Sequence, residues 1–131
     1  MPVAGGEPFS ASQLNDVRRA ISLAEDMSGL TFAVHVGNLD EGRASAEALM
    51  GTLPAPANSV LVAVDPDARS VDIVTGPQAR RWLPDDRCQL AILTMSSRFA
   101  YGDIAGGVRA GLIVLGEQAM HPTVLFTDEP A

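Results

Sequence analysis

Two β-branched runs, Ser59 to Asp65 (SVLVAVD) and Ser70 to Thr75 (SVDIVT), are separated only by Pro66-Asp67-Ala68-Arg69. A connection this short, rich in Pro and Asp, turns a strand back on itself, so the two runs are expected to pair as an antiparallel hairpin. The first run is apolar on both faces, which suits a central strand with helices above and below it. In the second, Val71 and Ile73 face one way and Asp72 the other, the pattern of an edge or half-covered strand. A hairpin of this kind needs helices to cover it.

The flanking sequence supplies them. Ser10 with Gln13 has the spacing of a capping box, and Leu14, Val17, Ile21 and Ala24 recur at three- and four-residue steps, so a helix is expected from Ser10 to about Met27, stopped by Ser28-Gly29. Leu30 to Val36 reads as a strand and Arg43 to Met50 as a second helix, ended by Gly51 and Pro54-Ala55-Pro56. Pro77 to Trp82 reads as one or two helical turns. Pro84 with Asp85 and Asp86 then opens a helix to about Ser97, acids suiting its positive end, and Leu90, Leu93 and Thr94 are its expected inner stripe. A last helix is expected from Asp103 to about Gln118, with Asp103 as N-cap, and Thr123 to Phe126 as a final short strand. One α/β domain follows, spanning 10–126, between a flexible N-terminus (1–9) and an acidic tail (127–131).

With 131 residues the chain has room for one domain with a real core, and a single cysteine, Cys88, excludes a disulfide framework or a cysteine-rich zinc site. Sixteen acids against nine bases, all Arg, give a net charge of −7. Such a surface repels phosphate backbones, so nucleic acid is not an expected partner. No signal peptide and no bilayer-length apolar span is visible, so direct membrane insertion is not expected and the cytoplasm is the expected compartment, with association at the cell envelope left open.

Candidate chemistry is sparse. Asp65-Pro66-Asp67 opens like a calcium loop, but Arg69, Ser70 and Gly76 occupy positions where an EF-hand requires an oxygen ligand, Gly and Glu, so a hairpin turn is the better reading. Segments that follow strands in a helix-covered sheet gather at one rim, which makes Asp65, Asp85, Asp86 and Asp103 candidates to converge there and hold a hard cation. His35 and His121 lie far apart without a nucleophile motif nearby, and Cys88 reads as a buried small hydrophobe. Arg80-Arg81-Trp82 is a compact basic-aromatic patch on an acidic chain, of the composition found at binding hot spots. The glycines from Gly102 to Gly116 match neither dinucleotide nor P-loop spacing, and Lys is absent, so they are read as close packing of the last helix on the sheet.

In order along the chain, Val60-Leu61-Val62-Ala63-Val64-Asp65-Pro66-Asp67, Val71-Asp72-Ile73-Val74-Thr75-Gly76, Leu83-Pro84-Asp85-Asp86 and Phe99-Ala100-Tyr101-Gly102-Asp103-Ile104-Ala105-Gly106-Gly107 resemble the TPM domain. The resemblance spans roughly residues 29 to 117 and is greatest to short, Arg-rich bacterial versions classed as a domain of unknown function. It implies a three-layer α/β/α sandwich with a small mixed sheet containing one β-hairpin. It also implies acid phosphatase activity, calcium binding, or service as a partner of membrane complexes, as described for different members. Asp85 or Asp86 matches the helix-start acid of the family and Asp103 its Gly-Asp acid. The family's acid after the second hairpin strand is missing from Gly76-Pro77-Gln78-Ala79-Arg80, its Asn-Gly before the first is Asn58-Ser59, and its signal peptide and anchor are not expected here.

The expected function is therefore a non-catalytic binding or regulatory module that acts through a protein partner at Arg80, Arg81 and Trp82, with no cofactor and no micromolar calcium site. The alternative is a divalent-cation-assisted phosphatase, with calcium or magnesium held by Asp85, Asp86 and Asp103.

Overall fold

A computed structural model describes residues 3–4 and 9–121. Helix α1 (Ala11–Ser28) starts at the expected box: the Ser10 N–H donates to Gln13 Oε1 at 2.8 Å, and the Gln13 N–H donates to Ser10 Oγ at 3.1 Å. It ends where Gly29 adopts a left-handed φ of 75° and its N–H caps the Glu25 carbonyl. Val17, Ala20, Ile21 and Ala24 form its buried face.

Four strands make one mixed sheet in the order β1 (Val3–Ala4), β2 (Thr31–Val36), β3 (Ser59–Asp65), β4 (Ser70–Thr75). β1, β2 and β3 run parallel, and β4 returns antiparallel to β3 with Val62 opposite Ile73. The hairpin stands as expected, and β3 is buried at every position. The N-terminal stretch differs: it was expected to be flexible throughout, but Val3 and Ala4 pair with Val34 and His35. Two residues carry too little periodicity to announce a strand. The expected strand Thr123–Phe126 and the tail 127–131 lie outside the described residues.

Alternation along the strands sorts the core into two layers. Phe32, Val34, Val36, Val60, Val62, Val64 and Ile73 pack beneath α1, α3 (Asp85–Phe99) and α4 (Ile104–Gln118). Ala33, Leu61, Ala63 and Val74 face the other way, against Ala46 and Met50 of the short α2 (Arg43–Met50). The result is a three-layer α/β/α domain with unequal outer layers.

Two expectations about the helices are corrected. The inner stripe of α3 is Cys88, Ala91, Met95 and Phe99, whereas Leu90 and Leu93 are 51% and 65% exposed. The glycines of α4 approach helices and not the sheet. A Cβ at Gly107 would lie 2.6 Å from the Phe99 ring, one at Gly111 2.5 Å from Met95, and one at Gly116 2.8 Å from the Ala24 backbone of α1. Sheet-side packing of α4 comes instead from Val108, Leu112 and Leu115. No helix among the described residues is long and apolar enough to cross a membrane.

Candidate functional site

The two rims of the sheet hold different chemistry. At the C-terminal ends of β2 and β3 lie the Gly37–Gly42 loop, the hairpin turn and the Ala100–Asp103 connection, joined where Arg69 Nη1 donates to the Ala100 carbonyl at 3.2 Å. The opposite rim holds the start of β3, the end of β4, the 3-10 turn Ala79–Arg81, Trp82, the start of α3 and the end of α4.

This arrangement separates the candidate carboxylates. Asp85 and Asp86 occupy the first turn of α3, and Asp103 follows its last turn. A helix of this length rises about 22 Å, so the three side chains do not share a site. Asp103 caps α4, its Oδ1 accepting from the Gly106 N–H at 3.0 Å, while Arg98 Nη1 approaches Oδ2 at 3.4 Å. Asp65 is buried and committed locally: its oxygens accept from the Leu39 N–H at 3.1 Å and the Ala68 N–H at 3.2 Å, which ties the hairpin turn to the loop after β2. Convergence of these acids on one rim fails because α3 spans the sheet from one rim to the other. No cluster of three His, Cys, Asp or Glu side chains with metal-holding geometry occurs among the described residues.

The basic-aromatic segment divides as well. Arg80 turns back onto β4, with Nη2 donating to the Thr75 carbonyl at 2.7 Å and Nε to Thr75 Oγ1 at 3.2 Å. Arg81 is exposed. Trp82 stacks on His121, ring centroids 3.6 Å apart and planes 8° from parallel, yet remains 37% exposed. His121 is fixed in turn, since its Nδ1 lies 2.9 Å from the Ala119 carbonyl. Sequence spacing gave no sign of this pair, because 39 positions of chain separate the two rings; only the return of α4 to this rim brings them together.

His35 lies at the other rim, on the α2 side of β2, where it lines a cavity of about 350 Å³ with Asn38, Leu39, Ser45 and Leu49. The two histidines therefore cannot share a ligand.

Cys88 is buried on α3. Burial pushes its thiol up to about 11, helped by the carboxylates of Asp85 and Asp86 and opposed by Arg43. Two results are expected. Alkylation of the native protein at pH 8 should be far slower than that of the unfolded chain. Stability should also fall as pH rises from about 9 to 11, where the unfolded thiol ionises and the folded one does not. Native alkylation at the unfolded rate would show the thiol to be open.

Residues 3–116 match a family described as a domain of unknown function (DUF5130). An uncharacterized protein of Mycobacterium tuberculosis (strain H37Rv) is 28% identical over 109 residues, which make up 82% of this chain. The matched region is 65% of that relative, so the chain spans less than two thirds of the length of the curated relatives it matches. The solution NMR structure of the N-terminal domain of the cg2496 protein from Corynebacterium glutamicum superposes with a TM-score of 0.72 at 19% identity, covering 89% of this chain and 78% of that one. The NMR structure of the BA42 protein from the psychrophilic bacterium Bizionia argentinensis gives 0.71 at 18% identity, covering 86% and 82%. At such identities the likeness is one of fold.

Proposed function

The chain belongs to this family of domains of unknown function, DUF5130, and we propose that it is a non-catalytic binding or regulatory module acting through a protein partner. The observation that carries the reading is the Trp82–His121 stack. A ring held flat against a second ring, and still 37% exposed, is an aromatic anchor that loses little freedom on binding. Arg81 beside it adds a guanidinium. Arg80 is held against β4 by its two bonds to Thr75, so the proposed contact surface centres on Arg81, Trp82 and His121. The finer likeness to the TPM domain supports the same proposal, because some members of that family serve as partners of other proteins.

The phosphatase reading asks Asp85, Asp86 and Asp103 to act together on calcium or magnesium, and α3 holds the first two apart from the third. No cofactor is proposed.

The test compares immobilised wild type with Arg81→Ala/Trp82→Ala, after circular dichroism has shown that both are folded. Proteins captured from native lysate are identified, and the strongest is purified and titrated against both forms. Loss of a central Trp costs about 2 kcal/mol or more, so affinity should drop roughly thirtyfold. Equal binding by both forms would remove the surface from the proposal. Chelator-sensitive phosphate release from an aryl phosphate, lost in Asp103→Asn, would replace the proposal with the enzyme.

A further inference from the structure

Among the described residues β4 has no strand on its outer side, and the hydrogen bonds of the hairpin show which backbone groups that edge presents. The Gly76 N–H donates to the Ser59 carbonyl at 2.9 Å, so even-numbered residues of β4 pair with β3. The odd-numbered residues Val71, Ile73 and Thr75 therefore turn their N–H and C=O groups outward. Such a row is a template for another strand. Two of its three carbonyls are already engaged, each by an arginine from a different element. Arg43 Nη1 of α2 donates to the Ile73 carbonyl at 3.2 Å, and Arg80 Nη2 donates to the Thr75 carbonyl at 2.7 Å.

The covering is thorough at this end of the strand. Ile73, Val74 and Thr75 are 4%, 6% and 3% exposed although no strand pairs with their outer side among the described residues. Arg43 is held across the edge by Asp72 at 3.9 Å and Glu47 at 3.4 Å. It also walls a narrow cleft of about 220 Å³ with Ile73, Asp85, Cys88, Gln89 and Ile92, between α2 and α3.

We infer that Arg43 and Arg80 form a two-point lock that keeps the β4 edge from pairing with the β4 edge of a second copy of this chain. A second copy is the occupant to exclude because any antiparallel edge is complementary to itself about a two-fold axis. The arginines act by occupancy. Their donors take the carbonyls that an incoming strand would need, and their side chains lie across the side of β4 from which it would approach. Asp72 and Glu47 neutralise and hold Arg43 in place without removing its donor from the Ile73 carbonyl.

The experiment uses Arg43→Met/Arg80→Met, which keeps apolar stems of similar length and deletes the donors and the charge. Mass is followed by light scattering across a concentration series, beside wild type. Wild type should stay at one chain per particle, and the variant should associate with a constant raised at least roughly tenfold, the effect of freeing buried acceptors for a new partner. Adding Val71→Pro should abolish this association. The Val71 N–H points outward, so proline there leaves the pairing with β3 intact and blocks only the free side. If the double variant is unfolded by circular dichroism, Arg43→Met alone carries the test, since it leaves the bonds of Arg80 to Thr75 in place. A folded variant that remains monomeric throughout, or association that persists with Val71→Pro, would overturn the lock.

Discussion

Gly76→Ala is expected to destabilise the domain by about 3 kcal/mol or more, lowering its melting temperature by roughly 10 °C. The reason is space. A Cβ built on Gly76 falls inside contact distance of the Pro56 carbonyl oxygen and lies 2.5 Å from that of Ala57, with the Ala57 carbonyl carbon at 2.7 Å. These are backbone atoms, so no rotamer change relieves the clash. The 3-10 turn Pro56–Asn58 that carries them is fixed on several sides: the Gln78 N–H donates to the Ala57 carbonyl at 2.9 Å, Asn58 Nδ2 to the Gly29 carbonyl at 3.3 Å and Ser59 Oγ to the Ala55 carbonyl at 2.6 Å. Moving it away would strain the bonds that close the end of the hairpin, each worth about 1 kcal/mol net. Gly51→Ala is the control. Its Cβ would meet only the Ala48 carbonyl at 3.5 Å, and its φ is −64°, so alanine there should be neutral or stabilising by a few tenths of a kcal/mol, through the unfolded chain. Urea titration and thermal melting of both variants check the contrast. Equal stability of Gly76→Ala and wild type would show that the turn yields freely.

Local signals carried most of the fold. The capping box at Ser10, the boundaries of β3 and β4 around Pro66–Arg69, helix α2 and the N-cap at Asp103 all depend on residues a few positions apart, and each appears in the structure where the sequence placed it. What was hidden depends on tertiary approach. Nothing near Arg80 says that it will turn back onto Thr75, because the same Arg-Arg-Trp run in an extended loop would face solvent. Nothing near Trp82 points to His121. The expected convergence of Asp65, Asp85, Asp86 and Asp103 failed for a related reason. Segments that follow parallel strands gather at one rim, but β4 runs antiparallel, so the segment after it puts Asp85 and Asp86 at the rim opposite Asp65, and α3 then carries the chain across the full height of the sheet to Asp103. The candidate surface left after these corrections, Arg81, Trp82 and His121, is thus half legible: its residue types were visible and its geometry was not.

The misread face of α3 yields the second large expectation. Hydropathy favours Leu90 and Leu93 as the buried stripe, yet Phe99 is fully buried and Leu93 is 65% exposed. The choice is made by α4, whose Gly107 and Gly111 let the two helices come close enough for the Phe99 ring and the Met95 thioether to fill the spaces where Cβ atoms would stand. Close approach rewards side chains that fit those notches over side chains that are merely apolar. Phe99→Ala should therefore cost about 3–5 kcal/mol, because the ring leaves a hole between α3, α4 and the sheet that backbones already in contact cannot close further. Leu93→Ala should stay within about 0.5 kcal/mol of wild type, since alanine loses little at an exposed helical site and is the better helix former. Urea titration of the two variants separates the stripes directly. A larger loss for Leu93→Ala than for Phe99→Ala would mean that α3 is rotated about its axis from the orientation described, and that the glycine face of α4 meets Leu90 and Leu93 instead.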